Sequence, residues 1–165
     1  MVKKILDWVE KILSWIVIIL LTAMTMVIFY QVILRYVFHS ANIWAEEFAR
    51  YAFIWVTMFG AAICIRRYRH IRIDVFVNIL PEKMQCILEL GMHAVVLIFL
   101  TVSTWYGITI CMKTGAQISS GLRLPMSFMY SSIPVSSVIM IAFILERMGE
   151  GIGRGFMKKE KENRI

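Results

Sequence analysis

Four long apolar runs separated by short polar clusters dominate the chain. Ser14 to Leu34 is 21 residues without a charge, which meets the roughly 20 residues a helix needs to cross the ~30 Å hydrocarbon core of a bilayer. Similar runs predict further membrane helices, and together the four cover about residues 14–36, 44–65, 83–112 and 126–146 of a membrane domain spanning 14–147. Ahead of them, Val2, Ile5, Leu6, Val9, Ile12 and Leu13 recur at helical spacing. Lys3, Lys4, Asp7, Glu10 and Lys11 take the opposite face, with Trp8 and Trp15 at the boundary. Over 1–13 this pattern predicts an amphipathic helix lying in the headgroup plane. Residues 148–165 carry Gly149, Gly151, Gly153 and Gly155 and then a run of charges, so a flexible cytoplasmic tail is expected there. The predicted fold class is therefore an all-α integral membrane protein with four transmembrane helices and an N-terminal interfacial amphipathic helix.

The connections are less regular. His39-Ser-Ala-Asn42 reads as a short polar turn between the first two spans. Ile73 to Leu80, closed by Pro81, fits both strand alternation and helical spacing; an isolated strand at a membrane surface has no partner, so a short interfacial helix is expected. The third span is longer than a bilayer core and should tilt or protrude, with Glu89 and His93 four apart near its start. Lys113 to Pro125 is rich in Gly and Ser and reads as a loop. Pro134 lies about eight residues into the fourth predicted helix, where it frees a carbonyl and should kink the chain, with Ser131 or Ser137 able to compensate.

Composition agrees: 59% hydrophobic residues in a chain of 165 is too apolar for a soluble domain of that size. The net charge of +7 does not point to nucleic acid, because the basic residues flank apolar runs, where they serve topology and anionic lipid headgroups. Fourteen of the 18 basic residues would lie on one side of the membrane: Lys3, Lys4, Lys11, Arg66, Arg67, Arg69, Arg72, Lys83 and the six that follow Glu146. Arg35, Arg50, Lys113 and Arg123 would face the other. The asymmetry places both termini in the cytoplasm. The start, Met1-Val-Lys3-Lys4, imitates a secretory signal, but the apolar run is too long and lacks a small-residue cleavage site, so it is read as uncleaved. Cys64, Cys86 and Cys111 stand singly in apolar sequence and make neither a zinc site nor a redox pair.

The polar residues near the first turn show a symmetry. With a hairpin midpoint near Ser40, Arg35 falls level with Glu46 and Gln31 level with Arg50. Gln31 and Arg35 are four apart, as are Glu46 and Arg50, and Glu47 lies three before Arg50. These five residues predict a polar girdle clamping the first two spans at one membrane face. Gly60-Ala61-Ala62 would let another helix approach closely in lipid, where packing replaces hydrophobic drive. His39, His70 and His93 fall at three different levels, so no haem ligand pair or metal cage is formed. No catalytic, cofactor-binding or metal-binding residues are expected. With polar residues at the membrane faces and none in a midplane series, the chain reads as a subunit that docks on another membrane protein.

The ordered series Gln31-x-x-x-Arg35-Tyr36, Trp44-x-Glu46-Glu47-x-x-Arg50, Trp55, Gly60-Ala61 and Arg66-Arg67-x-x-His70-Ile71-x-x-Asp74 resembles the small membrane subunit of tripartite ATP-independent periplasmic (TRAP) transporters, the DctQ-like family. Leu124-Pro125, Tyr130 and Pro134 are similar to that family's entry into its fourth helix, and the resemblance runs from about 14 to 147. It implies a sodium-coupled importer of organic acids, such as sialic acids or dicarboxylates, in a prokaryotic inner membrane. The implied partners are a large TRAP membrane subunit forming a heterodimer with this chain, a periplasmic substrate-binding protein in transient contact, and membrane lipids. Gly60, Ala61 and Pro134 are the expected packing positions, and Arg123 the expected contact for the binding protein. Two alternatives stand beside this: a free-standing small channel or carrier, and a membrane anchor of an enzyme complex.

Overall fold

The computed structural model describes residues 2–40, 42–67 and 82–162. Its elements are α1 (Val2–Val37), α2 (Ile43–Arg67), α3 (Glu82–Thr114), the single turn α4 (Ser127–Tyr130) and α5 (Ser132–Glu162). Four of these helices are long and apolar enough to cross a membrane. The described residues contain no strand beyond one antiparallel bridge between Ile118 and Pro125. The protein is an all-α, four-span membrane protein.

α1 runs for 36 residues, about 54 Å at a rise of ~1.5 Å per residue. No break occurs at Ser14, whose hydroxyl donates to the Glu10 carbonyl at 2.9 Å inside the helix. The amphipathic segment is therefore not a separate helix but the first three turns of α1. Its apolar stripe has a protein partner: Leu6 and Val9 pack on the core cluster, and Leu13 is buried within it. At the other end, the left-handed φ of 53° at His39 turns the chain away, and the Ser40 amide reaches back to the Leu34 carbonyl at 3.2 Å.

α2 packs against both α1 and α5, and α5 against both α2 and α3, so α2 and α5 form the inner pair. The core cluster draws Leu13 from α1, Phe59 and Ala62 from α2, Leu100 from α3, and Met140, Phe143 and Ile144 from α5. Burial follows this order. The most apolar windows of α2 and α5 are 22% and 33% buried, those of α1 and α3 only 6% and 11%. Most of the apolar surface of the outer helices thus finds no partner within the chain.

The fourth span departs from the expected 126–146 helix. It is interrupted at Ser131, and α5 starts at Ser132. Pro134 consequently stands in the first turn of α5, where an absent N–H costs no helical hydrogen bond. The hydroxyls of Ser131 and Ser132 donate to the Phe128 and Met129 carbonyls, both at 2.8 Å. Beyond the membrane the helix continues through the glycines to Glu162, where a flexible tail was expected from 148. A helix already nucleated by the span propagates cheaply. The interfacial helix expected over 73–80, and Arg69, His70, Arg72 and Asp74, lie outside the described residues.

Candidate functional site

Polar side chains gather in two assemblies at opposite ends of the bundle. At the end that carries the start of α1, Arg66 closes α2 with a side chain only 9% exposed. A guanidinium presents donors along several edges of one plane, so it can join carboxylates from different helices. Here Nε donates to Glu10 Oε2 at 3.0 Å and Nη1 to Glu146 Oε2 at 2.7 Å, while Nη2 donates to Asp7 Oδ1. The same guanidinium lies 4.8 Å from the centroid of the Phe143 ring, a favourable cation–π distance. Arg67 donates through Nε to Glu10 Oε1 at 2.7 Å and through Nη2 to Ser14 Oγ at 3.3 Å. Glu10 therefore bridges two arginines with separate oxygens. Three helices, α1, α2 and α5, are tied at one level.

This cluster has two cations and three carboxylates, and its members come from positions 7, 10, 66, 67 and 146. Sequence reasoning counted Arg66 and Arg67 as topological charges and missed their partners. A signal was present: Asp7 and Glu10 are three apart on α1, and acidic residues at the mouth of a basic cluster need cations.

At the opposite end, Glu47 near the start of α2 accepts two backbone N–H groups of the loop before α4. Its Oε2 lies 2.7 Å from the amide of Gly121 and 2.7 Å from that of Leu122. The loop is shaped by its own backbone, with Ser119 N–H on the Leu124 carbonyl at 2.9 Å and Met126 N–H on that of Gln117 at 2.8 Å. Gly121 is required by space. A Cβ there would stand 2.6 Å from Glu47 Oε2, 3.0 Å from Trp44 Cα and 3.1 Å from the Ile43 carbonyl oxygen. Arg123 follows with a left-handed φ of 52° and an exposed side chain. A carboxylate thus pins the tip of this loop to α2.

The girdle expected across α1 and α2 is distributed differently. Glu46 and Arg50 meet at 3.5 Å, but within α2 and with side chains 68% and 63% exposed. Arg35 is exposed and forms no ion pair among the described residues, and Gln31 is half-buried. Glu47 faces the loop instead of α1. Spacing along the two helices leaves the azimuth of each side chain around its helix axis open. Among the packing candidates, Gly60 has nothing within 4 Å of where a Cβ would be, and Ala61 is exposed. Ala62, by contrast, is fully buried in the core. Pro134 meets a glycine that sequence reasoning passed over: a Cβ on Gly107 would lie 2.9 Å from Pro134 Cδ and 3.3 Å from Ile133 Cγ2. That contact sets the crossing of α3 over α5. Among the described residues no group of three His, Cys, Asp or Glu is placed to hold a metal ion.

The chain is similar to known proteins. A family model described as "Tripartite ATP-independent periplasmic transporters, DctQ component" matches residues 24–154. A putative TRAP transporter small permease protein of Haemophilus influenzae is 28% identical over 151 residues, covering 90% of this chain and 92% of that protein. The sialic acid TRAP transporter small permease protein SiaQ of Vibrio cholerae is 30% identical over 148 residues, 90% of this chain and 84% of its own length. The sialic acid TRAP transporter permease protein SiaT of Haemophilus influenzae is 25% identical over 136 residues, which are 82% of this chain but 22% of that longer protein.

Proposed function

The chain belongs to the DctQ component family of tripartite ATP-independent periplasmic transporters, and from that membership we propose that it is the small permease subunit of a sodium-coupled importer of an organic acid, holding a large membrane subunit in place without binding substrate itself. The family is one of transporters, not of enzymes. The observation that carries the proposal is the uncovered apolar surface of the outer helices. Both hydrogen-bonded polar assemblies sit at the bundle ends, whereas a substrate site in a secondary transporter is expected near the midplane. Gly60 and Ala61, open on the outside of α2, offer a place where a neighbouring helix can approach closely.

The match to only 22% of SiaT is consistent with a partner: in that longer protein the corresponding segment is joined to further chain. Relatives named for sialic acid and for C4-dicarboxylate transport support a carboxylate substrate, which a periplasmic binding protein would deliver. The exposed Arg123, on a loop pinned by Glu47, is the proposed docking point for that binding protein, since exposed charge favours steering and weak association. The membrane is the prokaryotic inner membrane, and the basic cluster at the end of α2 orients both termini to the cytoplasm.

Co-purification and transport test the role. Gly60→Leu or Ala61→Leu should lower recovery of the large subunit, or the maximum transport rate, and leave the preference between two competing carboxylates and the sodium dependence unchanged. A variant of this chain that assembles normally and changes which acid is imported would overturn the proposal.

A further inference from the structure

Between the first turns of α1 and the end of α2 lies an open groove of about 290 Å³, lined on α1 by Asp7, Glu10, Lys11, Ser14, Trp15 and Ile18 and on α2 by Arg67. The α1 positions lie 3, 4, 7, 8 and 11 residues after Asp7, which places them on one helix face. From Asp7 to Ile18 they descend about 16 Å along the axis at a rise of ~1.5 Å per residue. The chemistry changes along that descent. At the top are carboxylates and cations; Ser14 follows; at the bottom Trp15 and Ile18 are 59% and 54% exposed. Charged, then hydroxylic, then apolar is the profile of a phospholipid entering a bilayer.

The charges at the top are not all consumed by the protein. The side chain of Asp7 remains 58% exposed and that of Arg67 64% exposed. Lys11 is exposed and forms no ion pair among the described residues. We propose that this groove seats one phospholipid with a primary ammonium headgroup, its phosphodiester on Lys11 and Arg67, its ammonium at Asp7 and an acyl chain along Trp15 and Ile18. Charge balance favours that headgroup over an anionic one. The lining of the groove itself holds Lys11 and Arg67 against Asp7 and Glu10, so its formal charge is zero. A lipid with a net negative charge would meet the carboxylates with no cation of its own, whereas a zwitterion pairs with both signs. A primary ammonium also donates hydrogen bonds to a carboxylate, which a quaternary choline group cannot.

Native mass spectrometry of the purified full chain, titrated with dioleoyl phosphatidylethanolamine, phosphatidylglycerol or phosphatidylcholine, tests the site. One molecule of the ethanolamine lipid should bind more tightly than either other lipid, and Lys11→Gln, which breaks no ion pair among the described residues, should weaken it about tenfold through loss of one charge-assisted contact. Trp15→Ala should weaken the same adduct while leaving helicity by circular dichroism unchanged. Inorganic phosphate in millimolar excess should not displace the lipid. Equal binding of the three lipids, displacement by phosphate, or wild-type affinity in both folded variants would overturn the assignment.

Discussion

Arg66 and Arg67 are adjacent in sequence, yet they belong to different physical situations. Arg66 is almost enclosed and holds Asp7, Glu10 and Glu146; Arg67 is 64% exposed and shares Glu10. Removing one member of an enclosed ion network strands the others, typically at ~3–5 kcal/mol, whereas exposed pairs contribute roughly 0–1 kcal/mol. Arg66→Ala should therefore lower the thermal unfolding midpoint in detergent far more than Arg67→Ala. Arg66→Lys should recover only part of the loss, because a single ammonium cannot address carboxylates on three sides. Equal midpoints for the Arg66 and Arg67 variants would contradict the burial contrast. Glu47 is the second decisive residue. Glu47→Ala leaves the amides of Gly121 and Leu122 without their acceptor. Faster hydrogen exchange confined to residues 119–124, with α3 and α5 unaffected, is the expected result.

At the scale of elements, two glycines in long helices have opposite roles. Gly107 lies against Pro134 where α3 crosses α5, with no room for a methyl group. Gly107→Val should force the helices apart, at about 1–3 kcal/mol for overpacking. Gly60 has open space where its side chain would be. In the isolated subunit Gly60→Ala should be neutral or stabilising by up to ~1 kcal/mol through helix propensity. Unfolding curves of the two variants side by side check both. A marked loss of stability for Gly60→Ala in the absence of the large subunit would show that its face is already packed. The interruption at Ser131 follows the same logic: Pro134 needs a first turn, so the chain supplies one and closes it with serine hydroxyls.

For the whole molecule, the arrangement α1–α2–α5–α3 leaves two outer helices with apolar surface exposed along most of their length. Such surface is stable only against lipid or another membrane protein. The proposed orientation has its own test. In a variant lacking Cys64, Cys86 and Cys111, a cysteine at Ser120 should react with a membrane-impermeant maleimide from outside intact cells, and one at Lys158 only after lysis. The reverse pattern would invert the topology. The length of α1 adds a further consequence: its first turns extend beyond the hydrocarbon core and are tied there to α2 and α5 by Arg66. Deleting residues 2–12 should therefore destabilise the bundle itself and not merely weaken its attachment to the lipid surface.

The sequence by itself determined that the protein is helical and has four apolar spans, because transfer into a bilayer is summed locally over about 20 residues and needs no knowledge of neighbours. It also carried the family resemblance, in an ordered series of side chains. The tertiary structure alone decided which charges meet. Arg66 finds Asp7 and Glu146 across separations of 59 and 80 residues, and Glu47 finds Gly121 across 74. Such pairings depend on the rotation of each helix about its axis, which apolar patterning leaves loose when lipid accepts every apolar face equally. The same cause explains why Glu47 faces the loop and not α1: the azimuth of a side chain about its helix axis is set by packing. It also explains Gly60 and Gly107, two glycines in apolar helices of which only the fold distinguishes the open one from the one pressed against Pro134.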